Sequence, residues 1–170
     1  KTIRMIDSLS NKEIKDYKLI LKEISSVISQ SIKTEEILDN FCKKIADNLK
    51  ILGIAVFLLD AEKNVYTLRK QIKLSGINHK YVFYQGGFIS NISECMPVDE
   101  LENKDHLDDI KKMGISIIIP LVSNKITKGF IFLGEKYSSD MWNGEDINFL
   151  STISSHLATS LENSFLYEKI

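Results

Sequence analysis

Two cysteines, three histidines and a short run of carboxylates are the side chains from which this sequence could build a reactive site. Cys42 and Cys95 stand 53 positions apart, and neither has a Cys or His at metal-ligand spacing, so no zinc motif is present. They read as two unrelated free thiols in a reducing compartment, with a structural disulfide as the alternative. His79, His106 and His156 are separated by 27 and 50 residues, again without a ligand motif. Asp99, Glu100, Glu102, Asp105, Asp108 and Asp109 crowd into one segment. General acid–base work would need two of them desolvated against each other; we read them instead as a solvated helix face. No Gly-x-Ser-x-Gly elbow occurs. "QGGF" lacks the spacing of a phosphate cradle and does not start a helix, so Gly86 and Gly87 are expected in a turn.

Hydrophobic periodicity supplies the elements that position these residues. Ile14, Tyr17, Leu21, Ile24 and Ile28 follow one another at steps of three, four, three and four, a heptad seam on a first helix; Ile20 and Val27 widen it on one side, so core packing is the alternative. A second helix follows, with Thr34 as its expected cap, Ile37, Leu38, Phe41, Ile45 and Leu49 as its buried stripe, and Gly53 as its stop. "IAVFLLD", Ile54 to Asp60, is nearly continuous in apolar residues and should be a strand covered on both faces. "VYTLRKQIKLSG", Val65 to Gly76, alternates and is its expected antiparallel partner. Residues 77–115 hold no strong period, apart from a helical candidate "VDELENKDHLDDIKKMG" that ends at Gly114. "ISIIIPLV", Ile115 to Val122, predicts a strand in which Pro120 marks a bulge or an edge. "SNKITK" turns into a last strand, "GFIFLGEK", and the final helix is predicted from near Asn143, where "NGED" offers a cap and two carboxylates. Two hairpins with helices gathered at the ends make an α+β fold on an antiparallel sheet.

Composition narrows the function classes. The chain is 44% hydrophobic and 26% charged with a formal net charge of −1, so it has material for a core and no basic excess for nucleic acid. No apolar run approaches the roughly 20 residues of a membrane span, and no signal-peptide pattern is present. Beginning "KTIRMID" rather than with Met, the sequence reads as a cytoplasmic piece of a longer polypeptide.

The order and local patterns of these elements resemble the GAF domain, a small-molecule-sensing and dimerising module of signalling proteins. "IAVFLLDAEKNVYTL" with Ser75-Gly76 is similar to that family's first hairpin. "IIIPLVSNKITKGFIFLGEKYSSDMWNGEDINFLSTISSHLATSLENSFLYEKI" resembles its second half, and the "EDINFL" start and "SLENSFLYEKI" finish look most like GAF domains placed before histidine-kinase cores. The resemblance implies a central antiparallel sheet of five or six strands. N- and C-terminal helices would pack on one face of it, and an irregular helix/loop region over the other. It divides the chain into a linker or signalling helix, residues 1–32, and a GAF-like domain, residues 33–170, whose last helix (about 143–170) continues toward a downstream effector.

The resemblance also implies a ligand pocket between one sheet face and the irregular region. There Tyr81, Phe83, Tyr84, Phe88, Met96, Leu107 and Met113 would supply apolar walls, with His79, His106 and Asn91 as polar points; plain core packing is the alternative use of the same residues. No cofactor is expected. Bilin-binding members attach their chromophore through a Cys usually followed by His, and Cys95 is followed by Met96. The cyclic-nucleotide set of Asn, Lys, Phe, Asp and Glu cannot be assembled in order, and sulfoxide-reducing members need three cysteines. A haem on His79 or His106 stays open. "SSHLATSLENS" around His156 departs from the phospho-acceptor motif of histidine kinases, since Leu157 and Ala158 stand where an acid is normal and no Pro follows.

The expected function is thus a sensory module of a two-component sensor histidine kinase, without catalytic residues of its own and with no nucleic-acid or membrane contact. It would act as a parallel homodimer through Ile14, Tyr17, Leu21, Ile24, Ile28, Ile147, Leu150, Ser154, Leu157 and Leu161. The alternatives are a module ahead of a cyclic-dinucleotide cyclase or transcriptional activator, or a GAF-fold reductase or haem-binding enzyme.

Overall fold

The computed structural model describes residues 17–102 and 104–169, so Ile14 of the expected seam lies outside the described residues. A helix covers residues 17–29 (α1), followed by α2 (Thr34–Leu49), β1 (Ile54–Asp60), β2 (Val65–Ile72), β3 (Val82–Tyr84) and β4 (Met96–Pro97). Then come α3 (Lys104–Lys112), β5 (Ile117–Ser123), β6 (Ile126–Leu133) and α4 (Gly144–Glu168). The strands form one six-stranded sheet in the order β3-β2-β1-β6-β5-β4, with every neighbouring pair antiparallel. This is the expected α+β architecture.

β1 and β6 lie at the centre because both carry apolar residues on both faces, which only a sheet covered on both sides can bury. Side chains alternate across the pleat. Ile54, Val56, Leu58, Ile117, Ile119, Leu121, Ile131 and Leu133 meet α1, α2 and α4 on one side. Ala55, Phe57, Ile118, Phe130 and Phe132 face the irregular region on the other. Gly129 of β6 permits the closest approach in this centre, since a Cβ there would stand 2.4 Å from the carbonyl oxygen of Phe57. The β5–β6 turn is tighter than "SNKITK" suggested: Asn124 and Lys125 both take positive φ (51° and 63°), the two-residue hairpin geometry that matches strand twist. Pro120 meets both expectations of it. A register shift follows at Leu121/Val122, and β4 pairs only with Ile117 and Ile118, so no described strand needs an N–H from Pro120.

Two helix ends differ from expectation. Lys33, not Thr34, is the N-cap of α2, and it makes no side-chain cap. Thr34 is buried instead, with Oγ1 2.7 Å from Ser164 Oγ and donating to Glu168 Oε1 at 2.9 Å. Lys50, in the left-handed region at φ 49°, ends α2, while Gly53 serves a close contact: a Cβ there would meet the Ile72 carbonyl oxygen at 2.6 Å. α4 starts as expected at Asn143. Its side chain accepts from the Asp146 N–H at 2.9 Å and the Asp146 carboxylate accepts from the Asn143 N–H at 2.8 Å, a capping box.

α1 lies alongside α4 and runs in the same direction. Tyr17 stacks on Phe149 (centroids 4.7 Å apart) and donates its hydroxyl proton to Asp146. Further along, Ser25 Oγ is 2.6 Å from His156 Nδ1, and Thr34 beyond α1 meets Ser164 and Glu168. This pairing corrects the reading of the seam. Ile24, Ile28, Leu150, Leu157 and Leu161 are each at most 3% exposed, and all belong to the chain's own core together with α2 and the sheet. Ser154 is buried as well, and Tyr17, Leu21 and Ile147 pack half-buried against the same cluster. Withdrawing Ile24 or Ile28 to serve a second chain would forfeit about 1.5–3 kcal/mol each. The first helix, assigned by sequence to a linker, thus contributes to the domain core.

Candidate functional site

The cavity that gathers the predicted ligand residues lies between the β3 edge and α3. β3 is only three residues long, pairing Val82, Phe83 and Tyr84 with Thr67, Tyr66 and Val65. The chain then turns through Gly86 (φ 89°), whose N–H donates to Ser90 Oγ at 2.8 Å, into a short 3-10 turn, Phe88–Asn91. This is the turn expected of "QGGF". α3 is acidic at its start (Asp105) and basic at its end (Lys111, Lys112), which suits its dipole, and Gly114 (φ 82°) stands just past its end. The helix covers only the second half of the predicted stretch.

Between these parts is a space of about 350 Å³, at the lower end of the range for small-molecule sites. Tyr81, Phe83, Tyr84, Phe88, His106 and Met113 line it, as the sequence suggested. Val82, Gly87, Ile89, Asp109 and Ile110 also line it and were not anticipated. Four predicted residues lie elsewhere. Met96 (in β4) and Leu107 pack half-buried against the core on this side of the sheet, and Asn91 is exposed at the end of the 3-10 turn. His79 is exposed and does not line the space.

The cavity is continuous with a ladder of rings. His106 stacks on Phe88, with centroids 4.2 Å apart and planes within 12°. Phe88 meets Phe83 edge-on at 6.3 Å. Phe83 in turn meets Phe57 at 5.1 Å and Phe132 at 5.4 Å, both fully buried on the central strands. Such pairs add about 0.5–1.5 kcal/mol each beyond area burial, so the wall nearest the sheet is stiff.

The thiols take no part in this site. Burial pushes the Cys42 thiol from 9.0 up to about 12. Burial also raises Cys95, which lies 3.2 Å from Ser151 Oγ and lines a different, polar cleft. Both are free. Because the unfolded Cys42 thiol ionises first, the stability it contributes is intact below about pH 9 and is lost as pH rises toward about 12. We therefore expect the stability gap between wild type and Cys42→Ala to narrow by roughly 1.4 kcal/mol per pH unit in that window. Urea unfolding of the two proteins from neutral pH to about pH 11 checks this; a constant gap would show that Cys42 reaches solvent in the fold.

Among the described residues no cluster of His, Cys, Asp or Glu is arranged to hold a metal ion, and no helix is long and apolar enough to cross a membrane. Of the charged side chains among the described residues, Asp146 is the most secluded. It is 3% exposed, accepts from Lys136 Nζ at 2.6 Å, and ties Tyr17 to the start of α4.

No family model matches the sequence, and neither does any curated protein. Solved structures do. The chain superposes on the GAF domain of a phosphoenolpyruvate-protein phosphotransferase from Coxiella burnetii with a TM-score of 0.74 at 16% identity, covering 92% of this chain and 99% of that one. A methyl-accepting chemotaxis protein, residues 122 to 287, gives 0.69 at 16% identity over 86% and 99%. A free methionine-R-sulfoxide reductase from Neisseria meningitidis, solved with its substrate, gives 0.67 at 14% over 89% and 91%. The chain therefore has a GAF fold, one found both in signalling proteins and in reductases.

Proposed function

We propose that this chain is the sensory and dimerising module of a cytoplasmic signalling protein, with a two-component sensor histidine kinase as its parent. The observation that carries the reading is the cavity between β3 and α3 and its ring ladder to Phe57 and Phe132. Those rings sit on β1 and β6, in the sheet whose opposite face packs α2 against β1 and α4 against β5, so a ligand that moves Phe83 or Phe88 bears on the sheet beneath the helices. A ligand preferring one arrangement of that ladder would bias the helices, and the effector would read the bias. The two unpaired thiols suit a reducing compartment. Reductase chemistry gains no support from them, because burial holds both thiols toward the protonated form and neither lines the cavity.

A parallel homodimer remains our reading of the assembly, now through the outward side of the α1–α4 pair. Leu19 is well exposed near a shallow groove lined by Leu21 and Phe149 at the start of the pair, and Leu166 and Tyr167 are exposed toward the far end of α4. Both halves of the proposal are tested on the folded chain. A nuclear magnetic resonance screen of small aromatic amines, acids and neutral heterocycles should yield compounds that shift Phe83, Phe88 and Met113, together with residues of α4. Shifts confined to the cavity would overturn transmission, and none at those residues would overturn the pocket. Light scattering should find a dimer that Leu19→Glu with Leu166→Glu converts to monomer, whereas a monomeric wild type would dispose of the assembly.

A further inference from the structure

We propose that the cavity takes a compact organic cation, of the quaternary or fully methylated ammonium kind; the inference rests on the pocket reading above and gives it a ligand class. Two features of the lining converge. Four of its residues, Tyr81, Phe83, Tyr84 and Phe88, are aromatic, and the negative faces of such rings attract a cation, most strongly when it sheds water. The one formally charged residue that lines the space is Asp109; neither Lys nor Arg does. Asp109 also has no ion pair or side-chain hydrogen bond among the described residues. On the same short helix Lys111 is already taken by Asp99, at 2.8 Å. The formal charge of the cavity lining is therefore negative.

An anion would meet Asp109 with no compensating charge. A neutral molecule would leave the carboxylate unused. A primary ammonium carries three N–H donors, each of which needs an acceptor once buried, and a mostly apolar wall supplies few. A methylated ammonium needs none: it is apolar in surface and charged in sum, and so suits rings and one carboxylate together. At about 350 Å³ the space fits such a head group with a short substituent, not an extended chain.

The test compares choline with 3,3-dimethylbutan-1-ol, which has the same shape with carbon in place of nitrogen. Titrated into the isotope-labelled chain, choline should shift the resonances of Phe88, Asp109 and Met113 and bind roughly tenfold more tightly than the alcohol. Asp109→Asn, at an exposed position that leaves the fold undisturbed, should remove most of that preference while the alcohol's weak binding stays as it was. Equal affinities for the two compounds would overturn the cation inference and leave the pocket standing. No shift at the lining residues from either compound would count against both. Vesicles of phosphatidylcholine form a further arm: sedimentation of the chain with them, without binding of free choline, would mean that the head group is read on a lipid and would overturn the free ligand.

Discussion

Replacing Lys136 by methionine should destabilise the fold by about 3–5 kcal/mol, the scale seen when one partner of a buried ion pair is removed and the other charge stays inside. The Lys136 side chain is 17% exposed and that of Asp146 only 4%, so the carboxylate cannot turn to water without dismantling the start of α4. Its remaining partners, the Asn143 N–H and the Tyr17 hydroxyl, are neutral and offset only part of the loss. Lys136 also lies 5.2 Å from the ring centre of Trp142, so the emission of the chain's one tryptophan should change in the same variant. The double variant Lys136→Met with Asp146→Asn should recover much of the stability, because the buried charge goes with its partner. Urea midpoints for the four proteins of this cycle decide the matter. A single variant within about 1 kcal/mol of wild type would show that Asp146 is solvated in the native state.

The second large effect belongs to the ring ladder behind the cavity. Phe132→Ala removes a fully buried ring that touches Phe57 at 5.2 Å and Phe83 at 5.4 Å, and should cost about 3–5 kcal/mol. Phe83→Ala, at a half-buried position, should cost less yet enlarge the cavity more directly. The comparison separates the two jobs of the ladder. A shift of the midpoint with unchanged denaturant slope would mark Phe132 as a stability position. Loss of ligand binding at near-native stability would mark Phe83 as the contact. If Phe132→Ala left the midpoint where it was, the stiffness argued for that wall would be mistaken.

What the sequence made legible, and what it hid, follows from how each element is held. β1, β5 and β6 announce themselves because each has a five-residue stretch buried on both faces, which reads as a nearly continuous apolar run. α4 does so because Asn143 and Asp146 write a cap in side chains. β3 and β4, three and two residues long, are held by their neighbours and carry no period of their own. The seam from Tyr17 to Ile28 was legible as a seam but not as to its partner. Two helices packed side by side within one chain ask for the same three-four spacing as two helices from separate chains. In the cavity the aromatic residues stood out by size, whereas Gly87 and Asp109 enter through turn geometry and helix phase. Met96 and Leu107 pack against the core because Met96 sits on a short strand paired to β5 and Leu107 stands one residue, about 100°, round α3 from His106.

The like-directed pairing of α1 and α4 has a mechanical consequence. Their contacts form a row: Tyr17 to Asp146 and Phe149, Ser25 to His156, then Thr34 to Ser164 and Glu168. A tension applied to the N-terminal end of α1 and resisted at the C-terminal end of α4 loads that row lengthwise. All the ties then share the load at once, instead of opening one after another like a zip. A pull of that kind would meet high resistance and little extension. The same pair peeled sideways from the Tyr17 end would yield at low force, one tie at a time.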